Sequence, residues 1–165
     1  LSGLEGETLS WGSMPSKDVL VFVDIPYSAI GVESSYAMLE YVKAGGGVLF
    51  TGGEYSFGKG LYQYTILDRE LLPVVCTANM DVRYAPEPLA LEAGPDFGEL
   101  KASVDWSANP KVWCWNEVAL RPDAGVKVFL KAGNRPMLVG CQLGKGRVAC
   151  LLANHRGRGE KDAPA

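Results

Sequence analysis

Apolar residues run unbroken from Val19 to Val23 and close on Asp24 and then Pro26. A run that is hydrophobic on both faces predicts a buried, central parallel strand, with Asp24 at its carboxyl end. Val32, Tyr36, Leu39 and Val42 then recur at i, i+4, i+7 and i+10, which predicts a helix from Val32 to Ala44 with that stripe turned inward. Gly31 suits its N-cap, Glu33 its first turn, and Gly45 to Gly47 its end, because glycine readily takes the left-handed conformation that closes a helix. Val48 to Thr51 returns to a short apolar strand. Strand, helix and strand form a right-handed βαβ unit.

The second half changes character. Ile66 to Leu72 reads as a short helix stopped by Pro73, and Asp96 to Leu100 as a helical turn. Val82 to Leu91 is strand-like but carries Pro86 and Pro88, which confines it to an edge or an extended loop. Val112 to Leu120 has large residues on both alternating faces, so both should be covered. Val126 to Leu130, Met137 to Gln142 and Arg147 to Leu152 complete the set, the last two joined by the tight turn Leu143-Gly144-Lys145-Gly146. The order is parallel α/β first and antiparallel β afterwards. The expectation is one α/β domain over residues 1–165, a flavodoxin-like three-layer sandwich with a parallel core sheet and an antiparallel β extension in its C-terminal half. The loop-like opening from Leu1 to Ser16 suggests an excerpt whose first strand lies upstream.

Composition narrows the partners more than the reaction. The chain has 165 residues, 47% apolar and 21% charged, which fits a single globular core. A net charge of −3 provides no basic footprint, so nucleic acid is not an expected partner. No apolar run reaches the roughly 18 residues of a membrane helix, and no cleavable signal opens the chain. A soluble domain is expected, either cytoplasmic or part of a larger exported or anchored protein. Cys76, Cys114, Cys141 and Cys150 lack metal-site spacing and are expected as buried free thiols. No cofactor or metal is expected.

Candidate chemistry gathers where the two predicted parallel strands end, since open α/β sheets bind ligands beyond the carboxyl ends of their strands. Asp24 and Tyr27 follow the first strand; Gly52, Gly53, Glu54, Tyr55, Ser56 and Phe57 follow the second. Carboxylates flanked by aromatic rings suit a polyol or sugar. Asp24 and Glu54 could also act as an acid/base pair or as two ligands of a divalent ion. Gly53 to Gly60 comes within one residue of the phosphate loop GxxxxGK[ST], but Gly60 stands where the magnesium-binding hydroxyl belongs. That departure leaves a glycine-rich structural turn, or an anion-binding loop, in place of a nucleotide site.

Tyr41 to Gly58, together with Val21 to Pro26 and the late Gly144-Lys145-Gly146-Arg147-Val148 hairpin, resembles the class I glutamine amidotransferase-like superfamily. Within it the likeness is to the branch labelled "putative glutamine amidotransferase" and its trehalose-utilisation-like relatives. The resemblance implies a strand ending in a sharp turn that presents a cysteine, activated by a histidine that a carboxylate orients. Laying Val48 to Gly52 on that strand and turn puts Gly52 at the nucleophile position. His155, the only histidine, follows the last strand, and Glu160 comes five residues later instead of two.

The resemblance therefore implies an amidotransferase-like domain without its nucleophile, acting as a module that binds a small molecule, a carbohydrate among the candidates, or as a protein-interaction module. Two alternatives stay open. One is a hydrolase or lyase that uses Asp24, Glu54, Ser56 or His155. The other is a structural oligomerisation domain built on the tryptophan strand, should Trp113 or Trp115 be exposed.

Overall fold

The computed structural model describes residues 17–154. Its elements are β1 (Val19–Val23), α1 (Tyr27–Ala44), β2 (Gly47–Gly52), β3 (Val74–Val75), β4 (Val82–Ala90), β5 (Glu92–Ala93), β6 (Lys111–Asn116), β7 (Ala119–Leu120), β8 (Lys127–Ala132), β9 (Arg135–Leu143) and β10 (Gly146–Asn154). The predicted helix at Ile66 to Leu72 is a single π-helical turn, Leu67–Leu71, and the turn expected near Asp96 is a 3-10 segment, Gly98–Ser103. The predicted strand Val112 to Leu120 divides into β6 and β7, and β7 leaves the main sheet to pair with β3.

The principal sheet runs β1-β2-β10-β9-β8-β5, and β6 branches from the far end of β10 with β4 on its outer side. β1 and β10 both run parallel to β2, whereas β9, β8 and β5 continue antiparallel. The last of the described strands thus sits at the centre. The βαβ unit and the antiparallel extension are both present, giving a mixed α/β open sheet compatible with a flavodoxin-like fold. A three-layer sandwich is not what the described residues form. Val19, Val21 and Val23 point to a sheet face that no helix covers among them, and each is about half exposed.

The other face holds the main core. Phe22, Phe50, Cys150 and Val139 lie side by side across β1, β2, β10 and β9, all buried. Met38, Leu39 and Val42 of α1 and Leu67 and Leu71 of the π turn pack against this row. A second, smaller cluster holds Val112, Trp115, Met137 and Ala153 together between the β4–β6 pair and the neighbouring strands.

Two expectations need correcting. β1 borders the described sheet instead of lying at its centre, so its two-sided hydrophobicity is buried only through Leu20 and Phe22. On α1, Val32 and Tyr36 are more than half exposed, and the inward stripe is Ser35, Met38, Leu39 and Val42. Ser35 can face the core because its hydroxyl donates to the Gly31 carbonyl at 2.6 Å, so no polar group is buried unpaired. Gly31 marks the true start of the long helix: its φ of 76° breaks the helical geometry after an opening turn at Tyr27.

The β9–β10 hairpin forms at the predicted glycines, and the helix explains why they are needed. The hairpin tip rests on the end of α1, where Lys145 N–H donates to the Lys43 carbonyl at 3.0 Å. A Cβ on Gly146 would lie 2.1 Å from the Val42 carbonyl oxygen, so no larger residue fits. This contact fixes the helix against β10 and thereby sets the loops at the opposite ends of β1 and β2. Among the described residues, no helix is long and apolar enough to cross a membrane, and no three His, Cys, Asp or Glu side chains cluster as a metal site.

Candidate functional site

β1 and β2 end side by side, with Val23 opposite Thr51. Asp24 leaves β1 with φ 49° and is buried. Its N–H donates to the Thr51 hydroxyl at 3.3 Å, and its Oδ1 accepts from the Tyr55 N–H at 2.6 Å. The carboxylate packs so closely on Gly53 that a Cβ there would overlap it, at 2.2 Å. Asp24 therefore ties the two loops together. Tyr27, half-buried, does the same through its backbone, donating to the Gly60 carbonyl at 2.8 Å.

The segment after β2 is held from below by two buried polar residues that sequence reasoning did not single out, Asp81 and Asn116. Asp81 accepts from the Gly58 and Lys59 N–H groups at 3.0 and 2.9 Å, and from the Asn116 amide at 3.0 Å. Asn116 both accepts from and donates to the Gly53 backbone. Gly58 is required, because a Cβ would meet the Ala78 carbonyl oxygen at 1.9 Å. The near-match to a phosphate loop thus spends the Gly58 and Lys59 amides on an internal carboxylate, which leaves a structural turn. The only sequence signal for this pair was an Asn inside an apolar strand.

Residues of the same segment face different ways. Phe57 is fully buried and packs on Tyr62 with ring centroids 5.8 Å apart, so it belongs to the core. Ser56 is also buried, and its hydroxyl has no hydrogen-bond partner among the described residues. Tyr55 is 56% exposed. Glu54 binds both the Lys59 ammonium and the Tyr84 hydroxyl. The bond to Lys59 is the main reason its carboxyl group is held below the ordinary value, with the Tyr84 bond second. Glu54, Tyr55, Lys59 and Tyr84 thus form a polar and aromatic group at the surface above the strand ends.

Gly52, at the position that the resemblance assigns to a nucleophile, is enclosed. A Cβ there would lie 2.5 Å from the Leu152 carbonyl oxygen and 2.7 Å from the Asn116 side-chain oxygen. All four cysteines are free, and only Cys141 is not fully buried. Burial pushes the Cys76 and Cys150 thiols well up. Cys114 is the thiol nearest the surface group: Tyr84 lies opposite it across β4 and β6, and the Asn154 amide is 3.7 Å from its sulfur. Its thiol is raised too, chiefly by burial. His155 lies outside the described residues. Trp115 is buried and Trp113 half-buried.

Comparison with known proteins fits this architecture. Two solved proteins of Salmonella typhimurium superpose with TM-scores of 0.77: Cytoplasmic Protein STM3548, 27% identical over 92% of this chain, and Cytoplasmic Protein STM1381, 22% identical over 88%. This chain spans 65% and 64% of their respective lengths. The "mmIFT52 N-terminal domain" shares the fold alone, at 16% identity and TM-score 0.55 over 90% of this chain and 71% of that one. A search of curated proteins finds no match. A family model described as "Putative glutamine amidotransferase" matches residues 27–158, four-fifths of the sequence, and the chain belongs to that GATase1-like family.

Proposed function

We propose that this domain binds a small, hydroxyl-rich molecule and does not hydrolyse glutamine. The observation that carries the reading is the packing of Gly52 between the Leu152 carbonyl and Asn116, which leaves no room for the side chain that amide hydrolysis needs at the end of β2. A thioester-forming cysteine must also reach the thiolate state, and burial opposes this at each cysteine. The ligand surface in this reading is Glu54, Tyr55 and Tyr84. A carboxylate accepts from hydroxyl groups, and exposed tyrosine rings offer stacking faces and hydroxyls of their own. Asp24, Tyr27, Gly52 and Gly53 act beneath that surface by fixing its loops.

The rival reading is a thiol hydrolase. It draws on Cys114, which lies opposite the Glu54-bound Tyr84 across β4 and β6 and whose sulfur is 3.7 Å from the Asn154 amide. Ammonia release from glutamine separates the two. The binding reading expects no release above the protein-free rate, from the wild type or from Cys114→Ser. Turnover that iodoacetamide or Cys114→Ser abolishes would establish the hydrolase instead. Titration with monosaccharides and polyols, followed by tyrosine and tryptophan fluorescence, tests the ligand class. A response lost in Glu54→Gln supports it, and no response to any of them refutes it.

A further inference from the structure

Two cavities of about 210 and 290 Å³ adjoin one another along β4 and β6. Trp115, Glu117 and Arg135 belong to the walls of both. The first cavity adds Asn116 and Asn134, and the second adds Arg83 and Tyr84. The space equals only several water molecules on each side, so the fitting ligand is small.

The chemistry of these walls has a surplus of donors. Arg83 donates to the Glu117 carboxylate at 2.7 Å and to the Met80 carbonyl at 2.7 Å, so the one carboxylate of the walls is engaged. Arg135 has no carboxylate within salt-bridge distance among the described residues. It lies instead over the Trp115 ring, 5.1 Å from its centroid, a cation–π placement that leaves the edge of the guanidinium able to form a two-pronged bond. The Trp115 residue is 7% exposed, and its indole N–H is buried with no hydrogen-bond partner. A buried donor left unmade costs about 1–3 kcal/mol, and an indole N–H can be satisfied only by an acceptor. Two guanidinium groups face one carboxylate here, so the walls carry one net positive charge.

We infer that this double cleft is a binding site for a small carboxylate-bearing molecule, with Arg135 as its anion anchor and Trp115 as its platform. The carboxylate neutralises the unmatched guanidinium charge through paired N–H bonds. Tyr84 borders both this cleft and the surface at Glu54, but the anchor and platform argued here, Arg135 and Trp115, lie outside that surface.

The test is calorimetry with tryptophan fluorescence on the full chain, using acetate, succinate, citrate and glucuronate as probes at millimolar concentration. At least one should bind, more weakly as salt is raised, whereas the uncharged succinamide should not. Arg135→Gln, an exposed substitution whose folding is checked by its melting curve, should weaken binding by about tenfold or more. Arg147→Gln, on the exposed side of β10, should leave it unchanged. Trp115→Phe, where it folds, should weaken binding and abolish the fluorescence response. The inference is overturned if none of the four acids binds, if succinamide binds equally well, or if Arg147→Gln weakens binding as much as Arg135→Gln.

Discussion

Asn116 clasps Gly53 through both ends of its amide: Oδ1 accepts from the Gly53 N–H at 2.9 Å and Nδ2 donates to the Gly53 carbonyl at 3.1 Å. The residues are 63 positions apart in the chain, so a strand from the second half holds the loop that follows β2. Because Nδ2 also donates to the buried Asp81, removing this amide takes the partner from the Gly53 N–H and carbonyl and one of three donors from Asp81. Asn116→Ala should therefore destabilise the fold by about 3 kcal/mol, read from urea unfolding. Asn116→Asp should cost more, since it places a carboxylate against Asp81 and the Gly53 carbonyl. A change within about 0.5 kcal/mol for Asn116→Ala would show that the clasp contributes little.

The same packing makes a prediction about restoring a nucleophile. Gly52→Cys should yield no glutaminase, and it should lower stability by roughly 2 kcal/mol or more, because its Cβ has nowhere to go without displacing β10 or Asn116. A stable Gly52→Cys variant that releases ammonia from glutamine would show that the strand end opens more easily than its contacts imply.

The order of elements was legible because hydrophobic period and glycine placement report local structure directly. Val19 to Val23, the helix beginning after Gly31 and the Gly144 hairpin all stand where their patterns put them. What remained hidden depends on residues distant in sequence. β10 inserts between β2 and β9, so β1 lies at the border of the described sheet, and no local pattern encodes that placement. Asp81 and Asn116 carry no local mark of their role, yet together they anchor the glycine turn. Ser56 and Phe57 read as site residues because they neighbour Glu54 in sequence, but backbone turns with positive φ at Phe57 and Leu61 send them inward.

The helix face offers a direct check on one corrected expectation. Val32 and Tyr36 fall on the i, i+4, i+7 stripe read from the sequence, but both are exposed, whereas Met38 is fully buried. Met38→Ala should cost about 3 kcal/mol, and Val32→Ala or Tyr36→Ala should stay within about 0.5 kcal/mol. Equal losses at Met38 and Tyr36 in thermal melts would mean that the helix is rotated from the position described.

Thiol labelling should follow burial. Cys141 is the partly exposed cysteine, while Cys76, Cys114 and Cys150 are buried. In native buffer near neutral pH a disulfide-exchange reagent should titrate Cys141 first, Cys114 slowly, and Cys76 and Cys150 only after denaturation. Rapid labelling of Cys114, mapped by mass spectrometry, would move the rival thiol-hydrolase reading ahead of the binding one.

Glu54 and Lys59 set a pH window. Glu54 is lowered from 4.5, first by the Lys59 bond and then by the Tyr84 bond, and Lys59 is raised from 10.5 chiefly by its bond to Glu54. A depressed carboxylate contributes stability that is complete above its unfolded value and is lost as pH falls through the folded one. A raised lysine contributes below its unfolded value and loses that contribution as pH climbs through the folded one. The pair should therefore be fully effective between 4.5 and 10.5, and its contribution should be small because both side chains are partly solvated. The stability difference between wild type and Glu54→Gln, followed by denaturant midpoint against pH, should be flat inside that window and shrink towards both ends. Tyr84→Phe removes the second cause, so the Glu54 carboxyl, titrated by NMR, should move back towards its ordinary value while Lys59 still holds it below. A Glu54 titration that Tyr84→Phe leaves untouched would place the tyrosine hydroxyl outside this group and detach the ligand surface from β4.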